Sequence, residues 1–501
     1  MREKIQLPKS RIATASCIIA AILFPSLGFD NQALASQDQS IDSAPRDFSD
    51  GPAVKPSIMK VSDIQAESAD NMTASAMANQ VKAAGNAVVT SGANRYLAWI
   101  DYTPGNADVM FRRSTDYGVT WKPVVNVSLN PGHSINVVVV ATGTNVYLAW
   151  DQYSLAYDRA DVFFRASTDS GATWGSKINL SSSGKNVRVY PQLVATGSNV
   201  FAAWSESNDE ILVRRSVNNG ASWEPAVNLS NNSGPSTLPQ LAISGSNVYV
   251  VWQDYTLAAS NFDIMLRRST NDGTSWKPAV NLSANFGDSF LPRIAAIGSR
   301  VYVVWSDLTP GNYDVLFRRS IDNGATWKPF FNLSGFPGDS LNPQVSATGS
   351  NVYVTWEQDN SPFTLSDIFV RASTDSGGTW GTRIKLSSSG DNKDATPQVA
   401  ASGTSVYVLW SESRDEIFVR VSADNGATWN ETVNLSKNNG ISNTAYVAAT
   451  GSIVSVVWTD FTTGNADIFF KRSVDKGATW KSTVNISNSP GNSLLTESVP
   501  T

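Results

Sequence analysis

Two residue types that build most compact catalytic centres are nearly missing from this 501-residue chain, which has one cysteine and one histidine. Cys17 alone forms no internal disulfide and no thiolate zinc site. His133 alone supports neither a Ser/His/Asp set nor a histidine-rich metal centre. Charge is also scarce. Asp, Glu, Lys and Arg make up 16% of the residues, and the formal net charge is −5 with a pI near 5.1. That balance excludes the basic surface that nucleic acid requires. Glycine-rich loops of the phosphate-cradling kinds are absent. Ile12 to Phe24 is the apolar run that needs an explanation, and it is short for a membrane span. It follows a basic head of Arg2, Lys4, Lys9 and Arg11 and precedes Ala33-Leu34-Ala35, so residues 1–35 read as an export signal. The mature chain is then expected to hold no thiol and no membrane span, and to be secreted or carried at the cell surface. Residues 36–80, rich in Ser, Asp, Ala and Gln, read as a flexible linker.

What the chain has in abundance is repetition. An octapeptide Ser-x-Asp-x-Gly-x-Thr-Trp begins at Ser114, Ser167, Ser216, Ser269, Ser320, Ser373, Ser422 and Ser473, at steps of 53, 49, 53, 51, 53, 49 and 51 residues. Its acidic position holds Asp116, Asp169, Asn218, Asn271, Asp322, Asp375, Asp424 and Asp475. A period near fifty with fixed turn chemistry marks a propeller or array. The fifth copy shows four short strands: around Leu291 to Ile297, Val301 to Trp305, Asp314 to Arg319, and a last one ending at Phe331 to Ser334. The third is apolar on both faces, through Val315, Leu316 and Phe317, which requires cover on both sides, as in blades stacked radially. All sixteen tryptophans fall on two repeated positions, one ending the second strand and one closing the octapeptide, so both are expected to be structural.

The first four copies resemble the last four at an offset of 206 residues. The expected fold is all-β: an eight-bladed propeller of four-stranded antiparallel blades over residues 81–487, with two four-bladed units as the alternative. The first blade opens at its first strand and the last closes at its fourth. Closure is therefore expected from packing between the end blades, with residues 488–501 as a tail without strand pattern.

The octapeptide's chemistry is that of a turn. Gly324 supplies a positive φ, and Asp322 accepts hydrogen bonds across its own loop, a task that Asn can share. The motif resembles the Asp-box, or BNR repeat, of sialidase-like propellers. That resemblance implies a box between the third and fourth strands, on the face opposite the active site. Sialidase activity would need three arginines around a carboxylate, a Tyr–Glu pair and an Asp acid/base. The repeated Arg112, Arg165, Arg214, Arg267, Arg318, Arg371 and Arg420, with Lys471, lie two residues before each box, at the end of strand three that the resemblance puts away from such a site. Among the unrepeated groups, Arg188, Tyr190 and Arg293 precede or begin first strands and are the catalytic candidates.

Carboxylates flank the loops between second and third strands: Asp101/Asp108, Asp151/Asp161, Glu206/Glu210, Asp254/Asp263, Asp307/Asp314, Glu357/Asp367, Glu412/Glu416 and Asp460/Asp467. Like charges facing one another at a hairpin mouth need compensation, from loop N–H groups, a neighbouring blade's donor, or Ca²⁺. No cofactor is called for, and Ca²⁺ is the single candidate. Asn-x-Ser sequons at Asn126, Asn179, Asn228, Asn281, Asn332, Asn434 and Asn485 follow the fourth strand periodically and read first as turn formers. The expected function is an exported, monomeric, non-catalytic binding or scaffold module for an extracellular carbohydrate or protein, with no nucleic-acid partner. The alternative is an exo-α-sialidase or another glycoside hydrolase.

Overall fold

A computed structural model describes residues 82–83 and 87–496, apart from loop residues 104, 156–158, 182–189, 207–209, 233, 257–260, 310, 361–364, 388–395 and 413–415. The expected signal (1–35) and linker (36–80) lie outside the described residues.

The fifth blade shows how the repeat becomes structure. Ser289–Ile297 pairs antiparallel with Arg300–Asp307 across a turn at Gly298, whose φ is 58°. Asp314–Ser320 pairs on the other side, and the two-residue strand Phe331–Asn332 closes the outer edge. The β-branched and aromatic residues of Val301 to Trp305 are fully buried, which suits a strand covered on both faces. Eight sheets repeat this order along the chain, and neighbouring first strands pack together around the axis. Lys82–Ala83 adds a fifth strand against Ile243 and Ala242 of the fourth blade.

The core lies between blades. Blades four and five share a cluster containing Tyr249, Leu266, Val301 and Trp305. Blades eight and one share another, containing Val457, Phe470, Leu97 and Trp99. The ring is therefore single, and the two-ring alternative is set aside. All eight second-strand tryptophans are at most 1% exposed. The box tryptophans, by contrast, are only half-buried. Each meets a phenylalanine of the preceding blade edge-on where that residue is present: Trp174 on Phe111 at 4.9 Å, Trp380 on Phe317 at 4.8 Å and Trp121 on Phe470 at 5.0 Å. Third strands also differ from expectation. Leu316 is buried, but its counterparts Met110, Phe163, Leu212, Met265, Phe369, Phe418 and Phe469 are half-buried, so one face of this strand packs less tightly.

Closure is not by packing alone. In the fifth blade the first strand has two parts: Ser289–Phe290 pairs with Asp307–Ser306, then a register shift brings Arg293 opposite Val304. In the first blade Val88–Ser91 supplies only the second part. Ser493–Leu494, from the chain's far end, supplies the first by pairing with Asp101 and Ile100. The supposed tail is thus a piece of blade one, and the ring is closed by a shared blade. Two residues are too few for a strand pattern, although Pro490-Gly491-Asn492-Ser493 repeats Pro131-Gly132-His133-Ser134 and carried the signal.

Candidate functional site

The box face is built from one hydrogen-bond circuit. In the fifth copy the Ser320 hydroxyl donates to Asp322 Oδ1 (2.7 Å) and accepts from Gly324 N (2.8 Å). Thr326 donates its N–H to Oδ1 (2.9 Å) and its hydroxyl to Oδ2 (2.6 Å). Where Asn218 replaces Asp, its Oδ1 accepts Ser222 N and its Nδ2 donates to Ser222 Oγ, so the circuit survives without charge. Bonds from the threonine lead in holding Asp424 and Asp475 down to about 2. Gly324 has φ 74°, and the residue before it, Asn323, also lies in the left-handed region at 57°.

The repeated arginines are straps between blades. Arg318 donates through Nε to Lys328 O of its own box (2.9 Å) and through Nη1 to Leu282 O of the preceding blade (2.6 Å). Arg112 does the same across the closure, to Lys122 O and to Ile486 O. Their guanidiniums are committed to backbone carbonyls and are not gathered around a substrate carboxylate.

On the opposite, loop face, six of the eight expected carboxylate pairs stand opposite each other, five in strand register and Glu206/Glu210 across their tight loop. They avoid repulsion by turning apart. Asp307 Oδ2 accepts from Trp305 Nε1 (2.9 Å), Ser289 Oγ (2.8 Å) and Asn285 Nδ2 (2.7 Å). Asp314 turns to the outer edge, accepting from Ser334 Oγ (2.6 Å) and Asn332 Nδ2 (2.8 Å). The same scheme holds Asp254 through Trp252, Ser236 and Asn232, and Asp460 through Trp458, Ser442 and Asn438. Asp101 takes Ser493 Oγ from the chain end. On the outer side Asp108, Asp161, Glu210, Asp263, Glu416 and Asp467 each accept from the serine of the following sequon, and Asp367 from Ser387 at the same place, where Lys385 replaces the asparagine. Internal donors therefore supply the compensation, and this also gives the sequons a structural role. Among the described residues no group of three or more His, Cys, Asp or Glu is arranged to hold a metal ion.

Blades two and six depart from the expected pairing. Asp151 stands opposite Val162 and Glu357 opposite Ile368; the true partners of Asp161 and Asp367 are Gln152 and Gln358. A shift of one residue turns a side chain to the other face of a strand. Asp151 therefore faces blade three, fully buried, where Oδ2 accepts Asn136 Nδ2 (2.6 Å) and Tyr190 N (3.3 Å). Burial pushes its carboxyl well above the usual range, against those two bonds. Asn136 Oδ1 and Asp151 Oδ1 are buried without a protein partner.

Of the catalytic candidates, Arg188 lies outside the described residues. Tyr190 is buried with φ 41° just before the first strand of blade three, and Arg293, also buried, is the register counterpart of Gln192 two blades away. The structure does not bring them together. His133 begins a first strand, and its Nδ1 accepts Ala107 N (3.3 Å), as Asp288 and Asp339 do for Phe262 and Tyr313; burial lowers its pKa, in keeping with a neutral acceptor.

An unrepeated feature escaped the repeat-based reading. At the loop-face ends of blades four and five, Tyr255, Phe262, Phe290 and Tyr313 form a continuous aromatic run with centroid separations of 5.0, 4.9 and 6.3 Å. Phe286, in the loop entering blade five, is 101% exposed beside it in sequence. The signal was a break in the repeat: Tyr313 stands where blades one and eight have Ala107 and Ala466.

The class this fold defines is the eight-bladed β-propeller. No family model and no curated protein sequence matches the chain. Among solved structures, an α-L-arabinofuranosidase of Fusarium graminearum is 13% identical with a TM-score of 0.38, the match covering 55% of this chain and 89% of that one. Polysaccharide lyase Uly1 is 8% identical with a TM-score of 0.46, over 64% and 86% of the two chains. A Trypanosoma rangeli sialidase is 15% identical with a TM-score of 0.37, over 60% and 56%. Likenesses of this size concern chain trace and not activity.

Proposed function

We propose that this protein is an exported binding or scaffold propeller whose loop face takes a carbohydrate or protein ligand over the aromatic run of blades four and five. The observation carrying this reading is the run itself, four successive rings with the fully exposed Phe286 close by in the chain, in which Phe262 and Tyr313 stand where blades one and eight have Ala107 and Ala466. Flat apolar rings next to polar loop groups suit sugar faces and protein side chains alike. A hydrolytic reading has less support, because the carboxylates of that face are engaged by internal donors and the described catalytic candidates stand apart.

The test pairs a glycan and protein-ligand array with chromogenic sialoside and arabinoside assays. The reading expects no release of chromophore, and a ligand signal that Phe286→Ala combined with Phe290→Ala weakens by about tenfold or more while the melting temperature of the single Phe286→Ala protein is unchanged. Robust sugar release by the purified protein would overturn it in favour of a glycoside hydrolase.

A further inference from the structure

The box face carries a second kind of strap, and its two omissions point to a ligand. The residue directly before the box serine is arginine in blades one, three, four, five and eight. Those of blades one, three, four and five reach the next blade's box and donate through Nη1 to the carbonyl just before the box glycine: Arg113 to Ser170 O (3.2 Å), Arg215 to Asp272 O (2.6 Å), Arg268 to Asn323 O (2.9 Å) and Arg319 to Ser376 O (2.7 Å). The aliphatic stem lies over the glycine itself, its Cδ within 3.5 Å of where a Cβ would be at Gly171, Gly273, Gly324 and Gly377.

Blades two and six have Ala166 and Ala372 instead, 206 residues apart. Their methyl groups face Gly220 and Gly426 at 3.6 and 3.1 Å from the same Cβ positions, and they cannot donate to Asn219 O or Asn425 O. A cleft opens at each place, of about 480 Å³ between blades two and three and about 270 Å³ between blades six and seven, with corresponding walls. Blade seven also lacks the arginine, but Val421 fills that space against Gly477. Two clefts thus share a glycine floor, a box carbonyl and the outline of an arginine that this chain supplies elsewhere.

We propose that these paired clefts bind arginine side chains presented by a partner protein, each guanidinium donating to Asn219 O or Asn425 O as Arg113 does to Ser170 O. The occupant follows from the molecule's own chemistry, since four equivalent interfaces show what fills this space. A planar guanidinium with a thin stem fits a glycine floor and a carbonyl better than a compact ammonium does. The cleft of blades six and seven binds more tightly, because Asp424 stands in its wall where the other has the neutral Asn218. This surface lies on the face opposite the aromatic run and stands independently of the loop-face reading.

The test uses saturation-transfer NMR on the intact protein with N-acetylarginine amide as probe and N-acetylcitrulline amide as its uncharged isostere. A side-chain fragment of this size binds with a Kd of roughly 1–10 mM. The expected result is transfer to the arginine probe and not to citrulline, reduced in Ala166→Arg, reduced further in Ala372→Arg and abolished in the double variant. Both variants should also melt no lower than wild type, because the new side chain completes an existing strap; this readout separates filling from misfolding. Transfer that is equal for the two probes, or unchanged in the folded double variant, or absent from wild type, overturns the proposal.

Discussion

At the scale of single residues, the aspartates of this protein respond to pH in opposite senses. The box aspartates are held below their ordinary value by hydrogen bonds, Asp424 and Asp475 to about 2. Their contribution is present above the unfolded value of about 3.9 and is lost as pH falls through about 2. Asp151 is the reverse case: burial raises its pKa, so the native state keeps a proton that the unfolded chain releases above about 3.9. It therefore costs stability progressively as pH rises from that value toward its own raised pKa. Replacing Asp151 by Asn keeps an acceptor for Asn136 Nδ2 and Tyr190 N and removes the ionisation. Denaturant midpoints measured from pH 4 to pH 8 should show Asp151→Asn gaining on wild type as pH rises. A gap that stays constant across that range would mean Asp151 is not a titrating group. Sequence alone pointed to Asp151 as a loop-face carboxylate; it did not show that a one-residue register change buries it.

At the scale of elements, the split first strand of blade one matters most. Ser493–Leu494 is short, yet it repeats bonds that a continuous strand makes elsewhere: Ser493 Oγ donates to Asp101 Oδ2 at 2.7 Å, as Ser289 does to Asp307 at 2.8 Å, and Asn492 Oδ1 accepts Ala466 N, as Asp339 Oδ1 accepts Tyr313 N. The next residue continues the pattern, with Leu495 N donating to Thr459 Oγ1 in blade eight at 3.0 Å. The element joins the two ends of a ring, so removing it should open a seam rather than fray a terminus. Ser493→Ala leaves a buried carboxylate one donor short and should cost about 1–3 kcal/mol. Deletion after Ser487 should lower the melting temperature by far more than that single change. A truncated protein melting with the full chain would refute a closing role. The longer blade strands were legible as β-branched and aromatic runs of five or more residues recurring about every fifty, whereas this one was legible only as a turn motif repeated out of place.

At the scale of the whole molecule, eightfold repetition made the architecture readable, and the functional detail lies where repetition fails. The box, both tryptophan rings and the arginine straps recur, so their roles follow from any one copy. The aromatic run of blades four and five, the two alanine clefts and the closing seam are exceptions, breaks in the repeat whose meaning shows only once the copies are placed side by side in space. The seam has its own pair of exceptions. Seven blades carry a valine where blade one has Arg95, and seven carry Tyr or Phe where blade eight has Ser455. The two replacements meet: Arg95 Nε donates to Ser455 Oγ at 3.0 Å in the space a tyrosine ring occupies elsewhere. Arg95 is fully buried, burial pulls its pKa down to about 10, and its Nη2 has no protein partner. A buried charge without a carboxylate gives little net stability, and well-packed apolar side chains commonly do better. Restoring the repeat in both places, as Arg95→Val with Ser455→Tyr, should therefore match or exceed wild-type thermal stability. Each single change should destabilise, Arg95→Val by leaving a void and Ser455→Tyr by overpacking against the guanidinium, each by about 1–3 kcal/mol. The coupling energy from this double-mutant cycle should be favourable and at least about 1 kcal/mol. Additive losses would mean the two exceptions arose independently, and the seam would then be held by the shared blade and the apolar cluster of blades eight and one.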